Sequence, residues 1–114
     1  MPEEVIRHFN FQEMAGVISE GYLLSTVEFE VMLHLGLAYW QQLAQTGGNN
    51  AHFAEALASS YFKALYGGPI AKKEFCNTEA EYFYQKAETI KNPKAALLLK
   101  QKADNWRKMG KLLY

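Results

Sequence analysis

The sequence predicts an all-α fold, a compact bundle of four main helices plus a short N-terminal helix, in a single domain of residues 1–114. Apolar residues recur every three or four positions in several long segments. Three times a Ser, Thr or Asn is followed three residues later by Glu, a pattern typical of helix starts. Short stretches that contain a glycine pair or a proline separate these apolar segments. With 49% apolar and 21% charged residues, the composition is that of an ordinary globular domain.

The first elements are short. Pro2 fits the first position of a helix that ends near Phe9. Asn10 followed by Glu13 opens the next helix, for which Gly21 is a plausible stop. The apolar stripe of that helix is Phe11, Met14, Ile18 and Tyr22.

The segment of residues 26–45 is the most apolar and begins after a Ser25–Glu28 capping box. One stripe contains Phe29, Leu33, Gly36, Trp40 and Leu43, and the other side carries Val27, Val31, Leu35 and Ala38. A helix that is apolar nearly all round is expected to be buried nearly all round, so we predict this helix at the centre of the fold. A short strand over residues 26–31 is the alternative, because apolar and polar residues alternate there.

Three more helices are predicted after the loop of residues 46–50. The first spans 51–66, and Gly67-Gly68-Pro69 ends it. Its core face is Ala54, Leu57, Ala58, Tyr61 and Leu65. Residues 70–77 are interpreted as a connector anchored by Ile70 and Phe75, after which Thr78 and Glu81 form a third capping box. That helix continues to about Lys91, and Asn92-Pro93 separates it from the last, residues 94–113.

The last helix has two contrasting sides. Its predicted core stripe is Ala95, Leu99, Ala103, Trp106, Gly110 and Leu113. The residues predicted to face outward, named here the basic face, are Leu97, Lys100, Asp104, Arg107, Lys108, Lys111 and Leu112. Asp104 has the helical spacing to pair with Lys100, Arg107 or Lys108. Two outward leucines among cations indicate either local loop packing or a contact surface.

The formal net charge of zero, from twelve basic and twelve acidic residues, conceals a split between the halves. Residues 1–50 hold six glutamates against one arginine, a charge of −5. Residues 51–114 hold eleven cations against six carboxylates, a charge of +5. The two halves therefore neutralise each other either within one molecule or between molecules. We expect the binding partner of this chain to be another protein or a second copy of itself.

A polar strip on the most apolar helix is the second candidate site, formed by Glu30, His34 and Gln41. A histidine beside a carboxylate suits proton transfer, whereas the structural interpretation is a histidine hydrogen-bonded at a helix interface. His52 and Glu55 on the next helix suggest metal ligands, but antiparallel register separates them from His34, so we expect no metal or cofactor. Cys76, the single cysteine, is expected to be a small core residue.

Several function classes are disfavoured. No apolar run approaches the ~18 residues of a membrane span, and the start lacks a signal-peptide pattern, so we expect a cytoplasmic protein without membrane contact. No phosphate-binding loop, nucleophile elbow, kinase or dinucleotide signature is present, which leaves enzyme status uncertain and leaning against catalysis. We predict a small non-enzymatic protein–protein interaction module, such as an adaptor, chaperone or assembly subunit. The alternatives are nucleic-acid binding through the basic face, and a ligand-binding or catalytic bundle around Glu30 and His34.

Overall fold

The structure, a computed structural model, describes residues 10–113. Five helices are present in this range: α1 (Phe11–Ser19), α2 (Thr26–Gln45), α3 (Ala51–Tyr66), α4 (Gly68–Thr89) and α5 (Pro93–Leu112). The all-α prediction is confirmed, and residues 10–113 contain no strand. The short helix predicted over residues 2–9 lies outside the described residues.

The first two helices begin where the capping patterns predict. The Asn10 side chain accepts a hydrogen bond from the Glu13 backbone N–H at 2.8 Å. Ser25 and Glu28 form a reciprocal capping box, with distances of 3.1 and 3.2 Å. These bonds satisfy N–H groups that have no partner inside the helix, so residues 26–31 are helical and the strand alternative is wrong.

The helices are arranged as two antiparallel hairpins joined in a ring. In the α2–α3 hairpin, Gly36 faces Tyr61 and Trp40 lies near Phe53. In the α4–α5 hairpin, Cys76 faces Gly110. A later residue of α4 bonds to an earlier residue of α5, as antiparallel helices require. Helix α4 also packs on α3, and α1 packs on both α2 and α5.

The core is built around Phe75, which sequence analysis predicted as an anchor. Its ring centroid lies 4.9 Å from Tyr61, 6.1 Å from Phe29 and 6.3 Å from Trp106. These rings come from four different helices, and all four are almost completely buried. Edge-to-face contacts of this kind add to the free energy gained by burial, so Phe75 links the two hairpins.

Helix α2 is less enclosed than its hydropathy predicts. It contributes Phe29, Met32 and Leu33 to the core with no exposed area. Val27 is nevertheless 60% exposed and Tyr39 43% exposed, so the prediction of burial nearly all round is wrong. Buried side chains occupy one side of α2, as in an amphipathic helix, and Val27 and Tyr39 lie outside that side.

Helix α4 begins ten residues earlier than predicted, and the connector assigned to residues 70–77 is helical. Pro69 occupies the first turn, where proline's missing N–H costs no hydrogen bond. Gly68 supplies the turn, because its φ of +85° is a conformation that favours glycine. Thr78 is therefore inside a helix rather than a cap, and the predicted anchor Ile70 is 73% exposed.

Helix α1 is fastened to α5 at its C-terminal end. The Asn105 side chain donates a hydrogen bond to the Ser19 carbonyl oxygen at 2.8 Å, and the Trp106 indole N–H donates to the Ser19 hydroxyl at 3.0 Å. These bonds satisfy a terminal carbonyl of α1 and fix one side of α5 against the bundle. The opposite side of α5 is thereby directed outward.

Candidate functional site

All seven residues of the basic face lie on the exposed surface of α5. Leu97 is 56% exposed and Leu112 58% exposed, and the cations between them are exposed as well. Leu98, which sequence analysis did not single out, is 59% exposed. The core stripe of the helix is buried at Ala103, Trp106, Gly110 and Leu113, so the predicted division of α5 into two sides is observed.

Tyr84 of α4 adds an aromatic ring to this surface. Its hydroxyl donates a hydrogen bond to the Asp104 carboxylate, and the Arg107 guanidinium lies 5.0 Å from its ring centroid. The hydrogen bond to Asp104 raises the pKa of Tyr84, helped by partial burial and the Asp104 charge and opposed by Arg107. Tyr84 therefore connects the anionic and cationic members of the basic face.

The partner of Asp104 differs from the one that helical spacing favours. Among the described residues, no ion pair within 4.0 Å joins Asp104 to Lys100, Arg107 or Lys108. The carboxylate is instead engaged across the hairpin by Tyr84. The sequence places the two residues near each other only roughly, because Tyr84 lies eight residues before Asn92 and Asp104 eleven residues after Pro93.

A cleft of about 370 Å³ adjoins the basic face between α4 and α5. It is lined by Asn77 and Glu81 of α4 and by Arg107 and Lys111 of α5. Two cations face one carboxylate, and Asn77 supplies an amide that donates and accepts hydrogen bonds. This lining suits a carboxylate side chain, because Arg107 has paired N–H donors and Lys111 adds a second positive charge.

The polar strip is an open surface feature in which Glu30 has a structural partner. Lys72, only 3% exposed, donates a hydrogen bond to the Leu65 carbonyl oxygen at 3.1 Å, and its ammonium lies 3.9 Å from Glu30. His34 and Gln41 are exposed, and the His34 ring packs edge-on to Tyr66 at 6.4 Å. Glu30 compensates a buried ammonium here, a role that sequence analysis missed because Lys72 fell in the predicted connector.

The two carboxylate–imidazole pairs are separate, as helix register predicts. His52 lies 3.9 Å from Glu55, and both side chains are exposed. His34 contacts Tyr66, which is about 21 Å along α3 from His52. Between residues 10 and 113, no three His, Cys, Asp or Glu side chains come together as metal ligands.

Cys76 lies inside α4 rather than before a helix start, and it belongs to the core. Burial raises the pKa of its thiol to about 12, and the Glu79 carboxylate adds to this effect. Burial likewise raises the pKa of Tyr61 to about 12; Glu79 adds to the rise, and the Trp40 indole, which does not reach hydrogen-bond geometry, partly offsets it. A thiol with such a pKa stays protonated at neutral pH, so Cys76 lacks the thiolate of a nucleophile.

The described helices include none that is both long and apolar enough to cross a membrane. Comparisons with protein-family models, with curated proteins and with solved structures found no match for this chain.

Proposed function

We propose that this protein is a non-enzymatic protein–protein interaction module whose basic face binds an acidic surface of another protein. One observation carries the proposal: four exposed cations, two exposed leucines and Tyr84 lie together on one side of a packed helical hairpin. A rigid hairpin presents these groups without a large loss of conformational entropy on binding.

Two side chains of this surface, Arg107 and Tyr84, are of types that protein interfaces favour, whereas lysine is depleted there. Arginine and tyrosine are enriched there and often contribute most of the binding free energy. Lys100, Lys108 and Lys111 would accelerate association with an acidic partner by electrostatic attraction, while Leu97 and Leu112 would supply apolar contact.

Within residues 10–113, intramolecular ion pairs neutralise little of this positive charge. Glu30 pairs with Lys72, and Glu28 caps α2. The contact of α1 with α5 at Ser19 uses neutral groups. Among the described residues, no ion pair within 4.0 Å joins the basic face to the acidic first half. The cations of α5 therefore stay accessible to a partner.

The test uses a fluorescein-labelled acidic peptide of about eight residues, in which glutamates alternate with serines, and fluorescence anisotropy in about 20 mM salt, where screening is weak. We expect Lys108→Glu to weaken binding about tenfold, because attraction becomes repulsion. The matched control is Lys63→Glu, an equal charge change at an exposed position of α3, which should change affinity less than about twofold. Equal losses in the two variants, or no binding by the wild type, would contradict the proposal.

Two other kinds of binding partner for the basic face are distinguished by an oligonucleotide probe and by sedimentation. A single-stranded oligonucleotide that binds more tightly than the peptide would favour nucleic-acid binding, for which the proximity of Tyr84 to the cations is the supporting observation. Sedimentation showing a dimer that Lys108→Glu dissociates would identify a second copy as the partner. Either result would replace the acidic partner protein proposed here.

A further inference from the structure

We propose that Tyr84 is a positioning residue of the basic face: its hydroxyl engages Asp104, which leaves Arg107 free to bind the carboxylates of an acidic partner segment. This inference rests on the proposed function and specifies how the surface recognises its partner. It depends on two contacts of the Tyr84 side chain. Its hydroxyl donates a hydrogen bond to Asp104, and its ring lies under the guanidinium of Arg107.

The first contact concerns competition for Asp104. Arg107 is three residues beyond Asp104, Lys108 is four beyond and Lys100 is four before, and all three spacings favour ion pairs on a helix. An exposed ion pair is weak, whereas a hydrogen bond to a charged acceptor is stronger. Tyr84 therefore competes well for Asp104, and the cations keep their charges directed toward solvent.

The second contact orients Arg107. Its guanidinium carbon is 5.0 Å from the Tyr84 ring centroid, a distance at which cation–π attraction restrains the planar guanidinium. The N–H groups lie along the edges of that plane and remain able to donate to an acceptor. Because Arg107 also lines the cleft with Lys111, an incoming Asp or Glu carboxylate meets paired donors and a second cation.

The arrangement also defines what the partner presents. Asp104 and Glu81 would repel a continuous row of negative charges, since each lies among the cations. A protein segment with spaced carboxylates suits the surface better than a phosphate backbone, whose charges are evenly and closely spaced. The inferred ligand is therefore an acidic polypeptide segment that inserts a carboxylate beside Arg107.

A double-mutant cycle with the same labelled peptide of spaced glutamates tests this role. Tyr84→Phe removes the hydroxyl but keeps the ring, and it should weaken binding about threefold as Asp104 turns to the cations. Asp104→Asn should strengthen binding, because it removes a repulsive charge. Tyr84→Phe introduced into the Asp104→Asn background should then have no effect, a coupling that a merely structural role of Tyr84 would not produce.

The control is Tyr82→Phe, since Tyr82 is exposed on the same helix and its ring lies 5.7 Å from the Lys86 ammonium instead. It should leave affinity unchanged, and thermal unfolding should show every variant folded. An unchanged affinity of Tyr84→Phe, or the same loss with and without Asp104, would overturn the role of Tyr84 while the proposed function stands. A wild type that does not bind the peptide would overturn both.

Discussion

The two helical hairpins of this protein are packed with different side chains. In the α2–α3 hairpin, Gly36 allows the Tyr61 ring to lie directly on the helix backbone. In the α4–α5 hairpin, small residues meet instead, with Gly110 against Cys76. The first seam buries aromatic area, whereas the second brings two backbones close and leaves the outer side of α5 to charged residues. Both seams are thus closely packed, the first by an aromatic ring on a glycine and the second by small residues on each other.

The two tryptophans show a second contrast, in which the α4–α5 hairpin has the better-buried ring. Trp106 of α5 is 2% exposed, and its indole N–H donates to the Ser19 hydroxyl. Trp40 of α2 is only partly buried, and its indole nitrogen, although inaccessible to solvent, has no hydrogen-bond partner among the described residues. A buried donor without a partner offsets some of the free energy gained by burying the ring.

Truncating the two tryptophans gives the largest expected effects. Trp106→Ala should lower the free energy of unfolding by about 3–5 kcal/mol, because it leaves a cavity and removes a bond between α5 and α1. Trp40→Ala should cost less, about 2 kcal/mol, since its ring is partly exposed and its N–H is unpartnered. Urea unfolding followed by circular dichroism measures both. Equal losses would show that Trp40 contributes as much to the core as Trp106.

The α1–α3 part of this comparison is largely predictable from sequence. Capping at Asn10 and Ser25 is local, and the burial of Phe29 and Leu33 follows from helical spacing. The extent to which α2 is covered was not predictable, because it depends on how the other helices pack around it.

The α4–α5 part is less predictable. Thr78 and Glu81 match a capping box, yet burial of Phe75, Cys76 and Ala80 keeps the chain helical through them. Tertiary packing overrides a local pattern that contributes only about 1 kcal/mol. The basic face followed from spacing within one helix, whereas the hydrogen bond of Tyr84 to Asp104 depends on the register between two helices.

Glycine substitutions distinguish the two seams. A Cβ at position 36 would lie 2.1 Å from a carbon of the Tyr61 ring, and Tyr61 is held between Phe11 and Phe75. Gly36→Ala should therefore destabilise the protein by about 2 kcal/mol, even after the gain in helix propensity.

The matched substitution is Gly110→Ala, whose Cβ would lie 3.0 Å from that of Cys76. A displacement of a few tenths of an ångström relieves this contact, and the gain in helix propensity offsets its cost, so the net change should stay within about 1 kcal/mol. Thermal unfolding of the two variants gives the comparison. A larger loss for Gly110→Ala would mean that the α4–α5 seam is the more rigid one.

The smallest expected effect is a pH dependence at the junction of the hairpins, where partly buried Glu79 lies close enough to Tyr61 and Cys76 to raise the pKa of both. Burial raises the pKa of Glu79 itself in the folded protein, so the folded state holds its proton to higher pH than the unfolded state does. Its contribution to stability is complete below the unfolded pKa and is lost as pH rises through the folded one.

Glu79→Gln should therefore make the protein more stable than wild type at neutral pH and change little at about pH 4, near the unfolded pKa of Glu. Glu81→Gln, a change at an exposed position of the same helix, serves as the control and should leave the shape of the profile unchanged. Urea unfolding between about pH 4 and 7 measures the difference. If Glu79→Gln instead lost stability at neutral pH, ionised Glu79 would be stabilising the packing of α4 on α3.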